Sequence, residues 1–91
     1  MAKFVQGRAA RIHYKQVGDG PDIVWVSGAG GTIGSWDAYQ VPYFESEFRN
    51  TTFDCRGVGQ TTSDQPLPWT VEDFSQDVID LIEAVCTPPV A

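Results

Sequence analysis

Apolar positions in the first half of the chain follow patterns that are typical of β-strands. Residues 9–17 alternate between apolar and polar side chains, as a strand with one solvent-facing side does. Residues 23–26 form a continuous β-favouring run, which suits a strand covered on both faces. Residues 51–53 and 4–6 are shorter strand candidates. The first half is therefore predicted to be rich in strands.

Two helices are predicted, and the second has the clearer pattern. Ser35 can cap a helix over residues 36–48, which Pro42 would interrupt or kink. Thr70 begins a helix that runs to residue 85, with Asp73 completing a variant capping pair. The apolar residues of this helix fall on one face at helical spacing: Val71, Phe74, Val78, Leu81, Ile82 and Val85.

The order of these elements predicts an α/β fold in one domain, residues 1–91. From residue 23 onward a strand, a helix, a strand and a helix follow one another, which implies βαβ units and a parallel sheet. Residues 18–21, Gly-Asp-Gly-Pro, are a strong turn signal, through which the strands on either side can pair as an antiparallel hairpin. After the prolines at 88–89, residues 90–91 look like the first step of a further strand.

A glycine loop, residues 27–34, joins the strand at 23–26 to the first predicted helix. Glycine lets the chain bend and lets a ligand approach backbone N–H groups closely. The N-terminus of the following helix adds a partial positive charge. Such a loop can hold either a phosphate or the oxyanion of an acyl-transfer intermediate, and the local physics leaves both open.

Composition and charge restrict the classes of function. The net charge is −6, and the six Lys and Arg residues are scattered, so no nucleic-acid surface is expected. No apolar stretch approaches membrane-spanning length and residues 1–7 do not resemble a signal peptide, so we expect no membrane association and a cytoplasmic location. Cys55 and Cys86 are too few for a disulfide framework and too isolated for a zinc site. Two reduced thiols are the favoured interpretation, with a single bridge as the alternative.

One resemblance favours a phosphate site. The spacing G-x-x-G-x-x-G resembles the nucleotide loop of extended short-chain dehydrogenases, and Asp54 follows the next strand, about where a ribose-binding acid belongs. The glycines of that spacing are Gly28, Gly31 and Gly34. Two features argue against this interpretation: strand-like residues 4–17 precede the glycine strand, and Pro42 lies in the following helix.

A second resemblance covers nearly the whole chain. Residues 54–61, Asp-Cys-Arg-Gly-Val-Gly-Gln-Thr, match the loop pattern D-x-R-G-x-G-x-S/T of the α/β-hydrolase fold. Residues 11–14, 18–21 and 35–42 resemble that family's opening strand, turn and first helix, and the helix with Asp77 resembles the one that follows. The chain looks closest to the branch of cofactor-free haloperoxidases and enol-lactone hydrolases.

This resemblance implies an oxyanion hole in the glycine loop and no cofactor. The backbone N–H of Ala29, next after Gly28, would supply one donor to the oxyanion. Gly30 and Gly31 would keep the loop open, and Gly28 and Gly30 would contact a small acyl substrate. Trp36 would border the acyl pocket or, equally, belong to the core. The family usually has His-Gly before the donor, whereas this chain has Ser-Gly.

Other polar residues near these motifs are expected to be structural. In the loop at 54–61, Asp54 and Arg56 are not assigned to catalysis; Arg56 can hydrogen-bond loop carbonyls, and Gly57 and Gly59 permit positive φ. His13, the single histidine, lies within a predicted strand and is expected to be a surface or packing residue.

The groups that carry out acyl transfer on this fold are not found in these 91 residues. The reaction needs a nucleophile at a sharp G-x-S-x-G elbow, a His base and an acid, and no serine here lies between glycines at that spacing. The resemblance places the nucleophile strand at about residue 90. We therefore expect the N-terminal segment of a serine hydrolase, inactive alone, with the remainder of that hydrolase as a second chain. A non-catalytic remnant that only binds a partner is the third interpretation.

Overall fold

The computed structural model of the chain describes residues 2–28 and 30–91. In chain order its elements are β1 (Ala2–Gln6), β2 (Ala10–Val17), β3 (Asp22–Val24), a 3-10 helix (Ile33–Trp36), α1 (Gln40–Phe44), β4 (Arg49–Phe53), β5 (Thr62–Ser63) and α2 (Val71–Val85). The predicted strands and the second predicted helix are confirmed within a few residues. The first predicted helix is not.

The strands form one mixed sheet in the order β1-β2-β4-β3, with β5 against the beginning of β2. The β1–β2 and β2–β4 pairs are antiparallel, whereas β3 and β4 are parallel. Val90 forms a parallel bridge with Asp22 on the other side of β3, so the short strand predicted at residues 90–91 begins there. The predicted architecture, antiparallel strands followed by parallel ones, is confirmed.

The antiparallel hairpin predicted across residues 18–21 is wrong. β2 and β3 are not neighbours, because β4 lies between them and pairs with both. The turn therefore leads the chain past the beginning of β4 and does not fold β3 back onto β2. Gly18 and Gly20 adopt positive φ there and pass close to the backbone that leads into β4, where a side chain would collide.

The first predicted helix, residues 36–48, is also wrong. In its place a 3-10 helix and the five-residue α1 are separated by a turn. Pro42 is the third residue of α1 and so lies in its first turn, where the missing N–H costs no helical hydrogen bond. Ser35 does not cap the predicted helix, because its hydroxyl accepts the Thr32 N–H at 3.1 Å.

Helix α2 begins and ends as predicted. The Thr70 hydroxyl accepts the Asp73 N–H at 3.2 Å, and the Asp73 carboxylate accepts the Thr70 N–H at 2.8 Å, which is a reciprocal capping pair. Leu81 is fully buried against the sheet and Val78 and Val85 pack half-buried against the same core, while Phe74 and Ile82 are also half-buried. Val71, predicted for the same apolar face, is instead 76% exposed.

The apolar core lies on one side of the sheet, under α2. Its buried members are Ala10, Ile12, Tyr14, Phe53, Cys55 and Leu81. The opposite side carries the 3-10 helix and α1 over a more polar set of side chains. Among the described residues, no helix has the length and apolar character that crossing a bilayer requires.

We expect Leu81→Ala to lower the free energy of unfolding by about 2–5 kcal/mol, because it leaves a cavity in the centre of the core. Ile79→Ala, on the same helix but 47% exposed, is the matched control and is expected to cost about 1 kcal/mol or less. Urea denaturation followed by circular dichroism measures both. Equal losses for the two variants would contradict this position of the core.

Candidate functional site

The glycine loop leaves the end of β3 and runs beside the end of β4. Gly31 N–H donates to the Gly28 carbonyl at 3.1 Å, which closes a tight turn, and Gly30 has a φ of +91°. A side chain at Gly28 or Gly30 would meet no heavy atom within 4 Å, so this part of the loop faces open space. Ala29, the predicted oxyanion donor, lies outside the described residues.

Asp54, directly after β4, is the polar group on which the surrounding segments converge. Its carboxylate accepts the Ile33 N–H at 2.8 Å, the Gln60 N–H at 3.0 Å and bonds His13 Nδ1 at 2.8 Å. Its own N–H donates to the His13 carbonyl at 3.0 Å. The side chain is 6% exposed. One buried carboxylate therefore joins β2, the glycine loop and the loop after β4.

The hydrogen bonds around Asp54 favour its ionised form. Burial alone would raise the pKa of this carboxyl group, but the N–H donors of Gln60 and Ile33, together with His13, outweigh burial and hold the pKa below its ordinary value. Asp54 is thus a buried anion with donors on both oxygens. The expectation that it has a structural position agrees with this arrangement.

Cys55 contacts the beginning and the middle of the glycine loop. Its N–H donates to the Gly31 carbonyl at 2.9 Å, and its thiol donates to the Gly28 carbonyl at 3.6 Å. The Ser27 hydroxyl lies 3.8 Å from the same sulfur atom. Cys55 is buried, and both it and Cys86 are free thiols, as predicted.

Arg56 binds a carboxylate on α2 and not chiefly the loop carbonyls that its sequence position suggested. Its guanidinium makes a two-pronged ion pair with Asp77, with N–O distances of 2.9 and 2.8 Å, and a bond of 2.8 Å to Gln65 Oε1. The Arg56 side chain is 1% exposed and that of Asp77 6%. This buried pair fastens α2 to the loop after β4.

Trp36 lies in an aromatic cluster on the opposite side of the sheet from α2. Its ring is 5.3 Å from that of Trp25, which also packs on Phe44 at 5.5 Å. The Trp25 indole N–H donates to Asn50 at 2.9 Å and so ties the cluster to β4. That Trp36 borders an acyl pocket stays a prediction.

A mostly apolar cavity of about 230 Å³ opens between the end of the sheet and α2. Its lining is Ile12, Val26, Ser27, Phe53, Asp54, Cys55, Arg56, Thr61, Val71, Phe74, Ser75, Asp77 and Val78. Val26 and Val71 form the exposed apolar part of its rim. The cavity therefore lies beside the base of the glycine loop.

Sequence reasoning did not find the His13–Asp54 contact or the Cys55 contacts. The alternation of apolar and polar residues in β2 placed His13 on the polar side of that strand. This was the one signal in the sequence for the His13–Asp54 contact. No signal in the sequence indicated the Cys55 contacts, because the Gly28 carbonyl that its thiol meets lies 27 residues earlier in the chain. Within residues 2–28 and 30–91, no group of three or more His, Cys, Asp or Glu side chains could hold a metal ion.

Comparisons with known proteins give a consistent result, although no protein-family profile matches the chain. It is 34% identical over 86% of its length to BpoC of Mycobacterium tuberculosis, which carries the name of a non-heme bromoperoxidase, and covers 29% of that protein. It is 31% identical over 88% of its length to 3-oxoadipate enol-lactonase 1 of Acinetobacter baylyi, again covering 29%.

The structural comparison agrees with these relatives. The crystal structure of an α/β hydrolase from Sphaerobacter thermophilus superposes with a TM-score of 0.78 at 29% identity, over 90% of this chain and 31% of that one. The chain spans about 30% of the length of the curated relatives it matches.

We expect Arg56→Met to lower the free energy of unfolding by about 3–5 kcal/mol, because it leaves Asp77 charged, buried and unpaired. Adding Asp77→Leu removes that uncompensated charge, so the double variant is expected to be more stable than Arg56→Met alone. Urea denaturation of the two single variants and the double variant measures the coupling. Glu83→Gln is the control, since its ion pair with Arg8 joins two side chains that are 65% and 66% exposed.

Proposed function

The chain belongs to the α/β-hydrolase superfamily, and from that premise we propose that it forms the N-terminal segment of a serine hydrolase that cleaves an ester, lactone or related acyl substrate. The observation that carries this proposal is the open glycine loop at the end of β3, whose backbone is hydrogen-bonded by Asp54 and Cys55. The name of the Acinetobacter relative, an enol-lactonase, supports the acyl chemistry.

The contribution of this chain is electrostatic. When a nucleophile attacks an acyl carbon, the carbonyl oxygen gains negative charge, and a backbone N–H fixed about 3 Å away stabilises that charge. We assign this donor to Ala29, because Gly28 and Gly30 on either side leave the approach free of side chains. The small residues of the loop leave room for an acyl group, because the aromatic side chains of the Trp25, Trp36 and Phe44 cluster do not belong to the loop.

The nucleophile, its histidine base and the acid are supplied, in this proposal, by polypeptide that follows Ala91. Such a complement would add to the sheet beside β3, where Val24 N–H already donates to the Ala91 carbonyl at 2.9 Å and Ala91 N–H to the Asp22 carbonyl at 3.1 Å. Backbone groups of alternate strand residues point to the same side, so Val26 is the next to offer its groups to that strand.

The same complement would cover the apolar rim of the cavity. Val26 is 53% and Val71 76% exposed, although both line the cavity next to the core. Exposed apolar surface of this kind, next to an open sheet edge, favours association with a further polypeptide. The free thiols of Cys55 and Cys86 are compatible with the reducing cytoplasm, where we place the protein.

The nucleotide-binding alternative is not favoured by the geometry. Asp54, the residue assigned to a ribose in that interpretation, already engages both carboxylate oxygens with three internal partners. The helix after the glycine loop is a short 3-10 helix, which supplies little dipole to a pyrophosphate. Saturable binding of NAD or NADP in an equilibrium titration would reverse this conclusion.

We expect Ala29→Pro to lower kcat for hydrolysis of a p-nitrophenyl ester by about 10²–10³-fold, because proline removes the N–H that the oxyanion needs. The measurement uses the chain together with the polypeptide that completes the fold. Ala29→Val is the control, since it adds bulk but keeps the N–H, and circular dichroism reports whether each variant folds.

Three results would contradict part or all of the proposal. Unchanged turnover in a folded Ala29→Pro variant would remove the role assigned to that N–H. Absence of any acyl hydrolysis by the completed wild-type assembly would favour the interpretation as a non-catalytic remnant. A folded Ala29→Val variant as inactive as Ala29→Pro would show that bulk, and not the lost donor, is responsible.

A further inference from the structure

We infer that Asp54 and Cys55 together act as a loop clamp: positioning residues that fix the glycine loop in the geometry an oxyanion requires. The inference rests on the proposed function and adds the residues that prepare the loop for it. Neither side chain is assigned contact with substrate. Both act through backbone groups of the loop, namely those of Gly28, Gly31 and Ile33.

The glycine loop has few means of holding its own shape. Gly28 and Gly30 have no side chains, and their surroundings are open on the outer side. A glycine-rich backbone loses more conformational entropy on ordering than other sequences do. An oxyanion donor is effective only if it is already in place when charge develops, so the loop needs an anchor outside itself.

Asp54 anchors the far end of the loop. Its carboxylate accepts the Ile33 N–H at 2.8 Å, while His13 and Gln60 hold its other oxygen at 2.8 and 3.0 Å. Those two partners prevent the carboxylate from rotating away from Ile33. Since the group is buried and ionised, its bond to Ile33 is charge-assisted and stronger than a neutral one.

Cys55 anchors the near end and the middle of the loop. Its thiol lies 3.6 Å from the Gly28 carbonyl and 3.8 Å from the Ser27 hydroxyl, and its N–H donates to the Gly31 carbonyl at 2.9 Å. The Gly28 carbonyl also accepts the Gly31 N–H, so the thiol touches the tight turn of the loop itself. Two consecutive residues at the end of β4 thus hold both ends of one loop.

The first test measures amide hydrogen exchange by NMR on the chain in the assembly in which it is purified. In Asp54→Ala we expect the Ile33 amide to exchange at least about tenfold faster, relative to the Trp25 amide that bonds Thr51 in the sheet. Asp54→Asn keeps one acceptor oxygen and is expected to restore part of the protection.

Asp80→Ala is the matched control for that variant. Asp80 is also a buried carboxylate that accepts a backbone N–H, that of Arg8 at 2.9 Å, but it lies on α2. We expect its loss to accelerate the Ile33 and Trp25 amides by the same factor. Should Asp54→Ala not fold, Cys55→Ala tests the clamp through the Gly31 amide, with Cys86→Ala as its control and Cys55→Ser as the conservative rescue.

The second test separates positioning from binding. In the completed hydrolase, we expect Asp54→Ala and Cys55→Ala to lower kcat about tenfold or more while KM changes less than about threefold, because the loop acts on the transition state. Cys55→Ser, which keeps a donor for the Gly28 carbonyl, is expected to recover most of kcat.

Each outcome decides a separate point. If Ile33 in Asp54→Ala exchanges no faster than in Asp80→Ala, the carboxylate does not hold the loop and the inference is overturned. If the loop loosens but kcat does not fall, the positioning role is overturned. If the completed wild-type assembly hydrolyses no ester although the loop loosens, the proposed function fails while the structural clamp stands.

Discussion

The constraint on which the rest of this structure depends is that Asp54 is a carboxylate buried at the end of β4. An ionised group cannot be withdrawn from water unless donors replace the water, and each donor must arrive from a fixed direction. Here the donors come from β2, from the glycine loop and from the loop after β4. Satisfying one charge therefore fixes three segments that are far apart in the sequence.

The two sides of the sheet meet different physical requirements. Under α2 the side chains are apolar, and the helix is held by burial of Leu81 and by the Arg56–Asp77 pair. On the other side Asn50 and Asp54 of the β4 segment present polar groups, and hydrogen bonds determine which loop conformations are allowed. Stability thus depends mainly on the α2 side of the sheet, whereas the loop geometry draws on both sides, because Cys55 belongs to the apolar core and also contacts the glycine loop.

The sequence patterns predicted those helices and strands whose formation depends on residues close together in the chain. The capping pair at Thr70 and Asp73 and the apolar spacing after it were sufficient for α2, and alternation was sufficient for β2. The errors arose where a distant segment decides the outcome. The hairpin at 18–21 failed because β4 inserts between its strands. The helix at 36–48 failed because Pro42 fits a first turn better than an interior.

The contacts at the candidate site could not be predicted for a related reason. The motif at 54–61 marked the correct loop, but His13 lies 41 residues before Asp54 and Ile33 lies 21 before it, and no periodicity connects them. The sequence did mark the glycine loop at residues 27–34, but not the residues that support it. The structure places that support in the two residues after β4.

This division has a consequence for how the proposed active site would be assembled. The loop that would receive the oxyanion is shaped by contacts within residues 13–61, whereas the proposed nucleophile comes from polypeptide that would join along β3. Because the clamp directly follows β4 and does not lie on that edge, addition of the complement need not create the loop geometry. It need only place a reacting carbonyl against the loop. Preorganisation and chemistry would then be supplied by different parts of the fold, with the sheet as the rigid connection between them.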